Sequence, residues 1–304
     1  MKDFPLETLG VFVAIARAGG LSAAARELGV SKATVSKHLS QLETWLGVAL
    51  MARTTRTLTL TDAGRNALAR ARRIMDEAEA LAEEAALGRD VPRGPLKVAV
   101  PGAFGRLWLG DALVDFMRRW PLVALEIWAE DRTVDLVAGG FDAALRIGTM
   151  PDSSLLARRI APVRPMLVAA PSYWAAHGRP EKPEDLSAHA CLRYANAPDN
   201  GVWRFTGPDG RAVRVNVAGP MTCNGGEMEM PALLAGLGVA LLPDFLVCHA
   251  VREGKLSCAM TDWRAPELTL HLLTPPGRAR PKRLEVFRDF IVERFAVKPP
   301  VWSV

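Results

Sequence analysis

Cysteine is scarce in this sequence: Cys191, Cys223, Cys248 and Cys258 are the only four. No CxxC pair or Cys/His ligand spacing occurs among them, which excludes an ordinary zinc site, and no metal site is expected. The four thiols read as small core residues; a redox pair would need Cα atoms within about 7 Å, which spacing alone does not show. Long apolar runs are also missing. The longest, Met230 to Val247, is interrupted by Pro231, Gly236, Gly238, Pro243 and Asp244. It reads as a helix followed by a strand rather than a membrane span. The N-terminus lacks the basic and apolar regions of a signal peptide, so a cytoplasmic protein without a membrane partner is expected. Catalytic and cofactor signatures are absent too: no GxSxG, no Walker A, no GxGxxG opening a helix, no HExxH. His189 near Cys191 lacks an orienting third group and reads as core or loop packing; Glu130-Asp131 beside Arg132 leaves a paired-carboxylate hydrolase as an alternative that no partner spacing supports. No catalytic residue, no cofactor and no enzyme activity are expected.

What is present is a globular composition, with 304 residues, 49% hydrophobic and 23% charged, enough for two domains and a sizeable core. The charge is unevenly placed. Residues 1–73 hold eleven lysines and arginines against five acids, a balance of +6, while the whole chain carries +5. A small basic part on a near-neutral larger one points to a polyanion partner, with a plain solvated surface as the alternative.

Leu6, Leu9, Phe12, Val13 and Ala16 recur at helical spacing, and Gly19-Gly20 ends that helix. A short helix from Ser22 to Leu28, with Ser22 as N-cap, leads to a turn at Gly29-Val30. Ser31 is then a good N-cap for a helix to Leu46 whose core stripe is Val35, Leu39, Leu42 and Leu46. Opposite that stripe stand Ala33, Lys37, Ser40, Gln41 and Thr44, flanked by Thr34 and Ser36. Two helices around a glycine turn, the second with a small, polar, basic face, form a helix-turn-helix. Short side chains allow close approach to base edges; hydroxyls and amides read donors and acceptors, and cations meet phosphate or guanine. The Thr/Leu alternation near Leu60 predicts a short strand pair, whose tip, Arg53, Thr54 and Arg56, suits phosphate or the minor groove. A three-helix interaction module with an ordinary turn is the alternative.

Asp62 can cap a helix running to Leu87. Its seam is Leu68, Ala71, Met75, Ala78, Ala82 and Ala85, spaced for a dimer; packing on its own chain is the alternative. Gly88 to Gly94 is a hinge. Beyond it strands alternate with helices: strands at 95–100, 122–128, 142–147, 166–170, 239–242 and 268–273, and helices at 105–119, 134–138, 231–237 and 282–295. That alternation predicts parallel sheets with helices on their faces, and a ligand beyond the strands' carboxyl ends.

The segment LSAAARELGVSKATVSKHLSQLETWLGVAL (Leu21–Leu50), continued by RTTRTLTLTDAG (Arg53–Gly64), resembles the DNA-binding signature of the LysR-type transcriptional regulators. FDAALRIG (Phe141–Gly148), PDSSLLARRIAP (Pro151–Pro162), APSYWAAHGRPEKPEDLSAHACL (Ala170–Leu192) and LLAGLGVALLPDFLV (Leu233–Val247) resemble the effector domain of one of its subgroups. The resemblance covers nearly the whole chain. It implies an all-α winged helix-turn-helix over 1–61, a dimerising linker helix and hinge over 62–90, and an α/β effector domain over 91–304. That domain is similar to type-2 periplasmic binding proteins, with one lobe at 91–163 plus 268–304 and another at 164–267. The implied partners are double-stranded promoter DNA, a small-molecule effector, further copies of the chain as dimer and tetramer, and RNA polymerase; the alternative function is a cytoplasmic solute-binding protein or enzyme on the same periplasmic-binding-protein-like fold. Two departures stand out. Met51-Ala52 replaces the usual aromatic and polar pair, and Gly102-Ala103-Phe104 follows the first strand where many relatives place Ser or Thr on the effector.

On this reading Ser31, Lys32, Ala33, Thr34, Ser36, Lys37, Ser40, Gln41, Arg53, Thr54 and Arg56 meet DNA. Strand-end positions line the effector cleft: Gly102, Ala103 and Phe104, then Asp131 and Arg132, then Arg146, Ile147 and Gly148. Family positions add Asn196, Trp203, Cys223, Asn224 and Gly225. Arginine fits carboxylate bidentately, the helix near Gly105 offers N–H groups, and Phe104 and Trp203 suit a planar ligand. The expected effector is therefore an organic, aromatic acid. For Arg146 an internal ion pair, and for Trp203 a core position, are the competing readings.

Overall fold

The computed structural model describes residues 6–53, 58–86, 91–131, 134–136, 139–149, 155–197, 201–276 and 281–304, and for residues 53, 73, 76, 77 and 79–86 the backbone alone. The chain divides into two compact units. Among the described residues no single helix is long and apolar enough to cross a membrane.

The N-terminal unit is built from α1 (Leu6–Ala18), α2 (Leu21–Leu28), α3 (Lys32–Leu46), the antiparallel strands β1 (Met51–Arg53) and β2 (Leu58–Leu60), and α4 (Asp62–Ala86). Phe12, Ile15, Val35, Leu39, Leu42 and Leu50 form its core. The left-handed glycines at 29 and 47 end α2 and α3, a conformation that costs a side chain. Ser31 caps α3 as expected, its hydroxyl accepting from the Thr34 N–H at 3.1 Å. Three expectations are corrected. Gly20, without a side-chain bond, stands at the cap of α2, and Ser22 lies inside the helix. Thr61 rather than Asp62 caps α4, accepting from the Gly64 N–H at 2.9 Å. Leu46 is exposed, so the core stripe stops at Leu42. The start of the linker seam is spent within its own chain: Leu68 and Ala71 are buried in this core, with Met75 packed against it. The side chains of Ala82 and Ala85 lie outside the described residues.

The second unit has two lobes. In the first, β3 (Gly94–Val100) leads through a short turn of helix, α5 (Gly102–Phe104), into α6 (Gly110–Arg119), then β4 (Val123–Ala129), β5 (Ala143–Gly148) and β6 (Leu156–Val163). The second lobe holds β7 (Pro165–Ala169), α7 (Pro171–His177), β8 (Cys191–Tyr194), β9 (Val202–Thr206), β10 (Ala212–Asn216) and β11 (Thr222–Cys223). It continues with α8 (Met230–Leu234), β12 (Val239–Pro243), α9 (Asp244–Arg252) and β13 (Ser257–Cys258). The chain then returns to the first lobe through β14 (Leu268–Thr274) and α10 (Lys282–Phe295). The sheets run β4-β3-β5-β14-β6 and β11-β8-β12-β7-β13.

Neither sheet is wholly parallel, as the alternation had suggested. β14 runs antiparallel to β5 and β6, and β7 antiparallel to β12 and β13. The crossings between lobes reverse direction, which a βαβ pattern does not reveal. No helix occurs at the described residues 134–136, where one was expected over 134–138; residues 137 and 138 lie outside the description. The expected helix over 105–119 starts earlier and carries a wide turn over Gly105–Leu109, where the Gly110 N–H reaches back five residues to the Gly105 carbonyl. Such turns recur at functional sites because they re-aim side chains.

Candidate functional site

Two sites emerge, one in each unit. In the first, burial of Val35, Leu39 and Leu42 turns the opposite face of α3 to solvent. Ser31, Lys32, Ala33, Lys37, Ser40 and Gln41 are exposed there, and Thr34 and Ser36 are half-buried. The face carries hydroxyl, amide and ammonium groups without a carboxylate, as base-edge and phosphate contact requires. Arg53 lies at the end of β1, its side chain outside the description; Thr54 and Arg56 lie outside the described residues. Sequence reasoning missed the residues that hold the wing on the helix. The Glu43 carboxylate accepts the N–H groups of Leu50 at 2.8 Å and Met51 at 3.1 Å. Thr61 donates its hydroxyl to the Ala49 carbonyl at 2.8 Å. A Cβ at Gly64 would lie 2.0 Å from the Leu50 carbonyl oxygen, so only glycine allows α4 to pass there. The signal for Glu43 was present: an acid on an otherwise basic helix, one turn before its end.

The second site lies between the lobes. After β3 the Gly102 N–H points at Asp131, whose carboxylate accepts it at 2.8 Å. Asp131 also faces the other lobe, toward Gly225 and Tyr194. Burial first, and then the Asp131 carboxylate, push the Tyr194 phenol above its ordinary range, while a bond from Asn196 lowers it. Asn196 donates to the Tyr194 hydroxyl at 3.4 Å and to the Asn224 carbonyl at 3.3 Å. Arg106, on the wide turn of the first lobe, forms an ion pair with Glu227 of the second. Cys223 donates its thiol to the Gly225 carbonyl at 3.2 Å and to Glu229 at 3.6 Å. Glu229 is 1% exposed, and burial pushes its carboxyl up to about 7.

The structure thus brings together Gly102, Asp131, Asn196, Cys223, Asn224 and Gly225, and adds Arg106, Tyr194, Glu227 and Glu229, which the sequence did not single out. Ala103 is buried beside Gly102, and Arg132 lies outside the described residues. Two aromatic candidates are corrected. Phe104 has no exposed surface; its ring packs against Phe245, Phe295 and Trp302, so it seals the lobes instead of lining the cleft. Trp203, on β9, packs against the second lobe's core with Phe205 and Leu167. Arg146 donates to the Val134 carbonyl, tying the end of β5 to the loop beside it. Ile147 packs on the first lobe's core, and Gly148 closes β5. Among the described residues no group of histidine, cysteine and acids is arranged to hold a metal ion.

Comparison with known proteins finds matches to both units. A family model described as "Bacterial regulatory helix-turn-helix protein, lysR family" matches residues 6–65, and one described as "LysR substrate binding domain" matches residues 89–296. The HTH-type transcriptional regulator DmlR of Escherichia coli K12 is 36% identical, the match covering 100% of this chain and 99% of that one. The solved structure of CrgA, a LysR-type transcriptional regulator from Neisseria meningitidis, is 32% identical, with a TM-score of 0.61 over 94% of this chain and 97% of that one. The full-length structure of AphB, a virulence activator of Vibrio cholerae, is 25% identical, with a TM-score of 0.63 over 95% of this chain and 98% of that one. A basic helix-turn-helix followed by a two-lobed, periplasmic-binding-protein-like effector domain, matched along its length, places this chain in the LysR family of DNA-binding transcriptional regulators.

Proposed function

We propose that the chain binds promoter DNA through the exposed face of α3 and the tip at Arg53, Thr54 and Arg56. Its effector, on this reading, is a small organic acid that also carries hydrogen-bond donors. The observation that carries the effector class is the Arg106–Glu227 ion pair across the cleft. The exposed guanidinium of one lobe is matched by a carboxylate of the other, and a ligand carboxylate is a like-for-like replacement for Glu227. Asp131 and the displaced Glu227 then favour a ligand with donor groups or an ammonium. The expectation of an aromatic ligand loses its support, because Phe104 is packed into a core and Trp203, half-buried, packs against one. Arg146 passes to a supporting role through its bond to Val134.

A ligand touching both lobes shifts their equilibrium only by its differential affinity for the closed state. The chain acts as a regulator and not an enzyme, working in the cytoplasm where its DNA is. Dimers, their pairing into tetramers and contact with RNA polymerase follow from the family reading. Calorimetry of the full chain against a panel of amino acids and plain carboxylic acids tests the effector class. Arg106→Ala should weaken the best ligand by about 10–150-fold, the worth of one charge-assisted bond. Unchanged affinity would move the effector elsewhere.

A further inference from the structure

A cavity that shares no residue with the cleft is lined mostly by the second lobe, with Ser303 and Val304 added from the end of the chain. Its volume is about 480 Å³, within the roughly 300–1,000 Å³ of small-molecule sites. About half of its wall is apolar, from Met166, Phe205, Leu241, Met260 and Trp263, with two thioethers that adapt to a flat or branched hydrocarbon, and the other half is polar. Met260 holds φ at +54°, the only non-glycine residue with positive φ among those described. That conformation costs free energy and persists only where surrounding structure enforces it.

The charge on the wall is sorted by depth. Asp244 is 5% exposed and, with Glu229 of the cleft, one of the two buried acids among the described residues. Its carboxylate accepts the Phe245 N–H at 2.8 Å, is also held by a backbone hydrogen bond from Arg164, and feels the Arg164 charge, while burial pushes its carboxyl up. Two cations also line it, Arg164 and Arg264; both are exposed, and Arg164 lies 4.0 Å from Glu267, so solvent offsets both and a counter-charge offsets Arg164 as well. The deep group therefore sets the preference, and a buried carboxylate gains most from a cation brought with a ligand.

Position adds a consequence. Arg164 is the crossing from β6 to β7, and residues 259–267 form the return crossing to β14; both line the cavity. Phe245, next to Asp244, packs edge-on against Phe104 at 5.6 Å, and its carbonyl accepts the Trp108 indole N–H at 2.9 Å. Both partners belong to the segment that presents Arg106 to the cleft. We propose that this cavity is a second ligand site, for a small apolar amine whose ammonium pairs with Asp244 and whose body lies against Met166, Met260 and Trp263. Its occupant steadies the two crossings on which the lobes turn.

The test uses the full chain and 1-naphthylmethylammonium as probe, with 1-naphthylmethanol as its neutral analogue. Titration calorimetry should give a Kd below about 1 mM for the amine and binding about tenfold or more weaker for the alcohol. Hydrogen exchange should slow at residues 164–167 and 259–267. Asp244→Asn should weaken the amine by about tenfold or more, and Ala265→Phe, which fills the cavity from a half-buried edge position, should abolish binding while leaving the fold intact. Where Asp244→Asn does not fold, the alcohol comparison and Ala265→Phe decide. No binding at millimolar probe overturns the proposal. So does protection confined to residues 102–106 and 222–229, and so does an amine that binds Ala265→Phe unchanged.

Discussion

Asp131 places a carboxylate oxygen 2.8 Å from the backbone nitrogen of Gly102, a strand-end position that the sequence assigned to the effector cleft. The slot after β3 is thus filled from within the first lobe, and the same carboxylate faces Gly225 of the second. An effector acid must displace Asp131 from that N–H or bind beside it. Asp131→Ala should remove a charge-assisted bond and lower stability by about 1–2 kcal/mol. It should also free the N–H, so that acetate protects the variant against denaturant more than it protects the parent. Equal protection would show that the slot is not an anion site.

The Arg106–Glu227 pair links the lobes, with side chains 57% and 28% exposed. Such a pair is partly screened, so its coupling should be modest, about 0.5–1 kcal/mol. A double-mutant cycle with Arg106→Ala and Glu227→Ala, read by urea denaturation at low salt, measures it. A coupling that persists undiminished in 1 M salt would contradict its partly exposed geometry.

Glu229 gives the effector domain a pH dependence. Burial raises its folded-state pKa from 4.5 to about 7, so the folded protein holds this proton more tightly than the unfolded chain does. The stability contributed is fully present below about pH 4.5 and is lost as pH rises through about 7. Glu229→Gln keeps an acceptor for the Cys223 thiol without the charge. It should therefore be more stable than the parent at pH 8, by up to about 3 kcal/mol, with the advantage fading toward pH 5. Melting temperatures at several pH values decide it; parallel curves for the two proteins would remove Glu229 from the titration.

Local periodicity made most of this architecture legible. The stripe Val35, Leu39 and Leu42 oriented α3, Ser31 announced its cap, and alternation in 58–60 gave the wing its second strand. Strand ends located Gly102 and Asp131. What stayed hidden depended on long-range contact. Phe104 could not be assigned to a core before Phe245, Phe295 and Trp302 were known to surround it. Arg106 was overlooked because its partner Glu227 stands 121 residues away on the other lobe. The antiparallel β14 was hidden because a strand's direction in a sheet leaves no mark on its own composition.

DNA affinity should follow the basic face of α3. Lys32 and Lys37 are exposed there, and each phosphate neutralised releases counterions, giving a log–log salt slope of about −0.9 per contact. Lys37→Ala should therefore weaken binding on every sequence alike and flatten the slope by about one unit per subunit. Ser36→Ala, nearer the base edges, should leave the slope unchanged and blur sequence preference, by about 1–3 kcal/mol if a base contact is lost. Ser31→Ala separates shape from contact. It removes the cap bond to the Thr34 N–H, costs about 1 kcal/mol in the helix, and should weaken specific binding without changing the slope. Fluorescence anisotropy with operator and random duplexes across a salt series distinguishes the three. If Lys37→Ala leaves the salt slope unchanged, the exposed face of α3 does not lie on the phosphates.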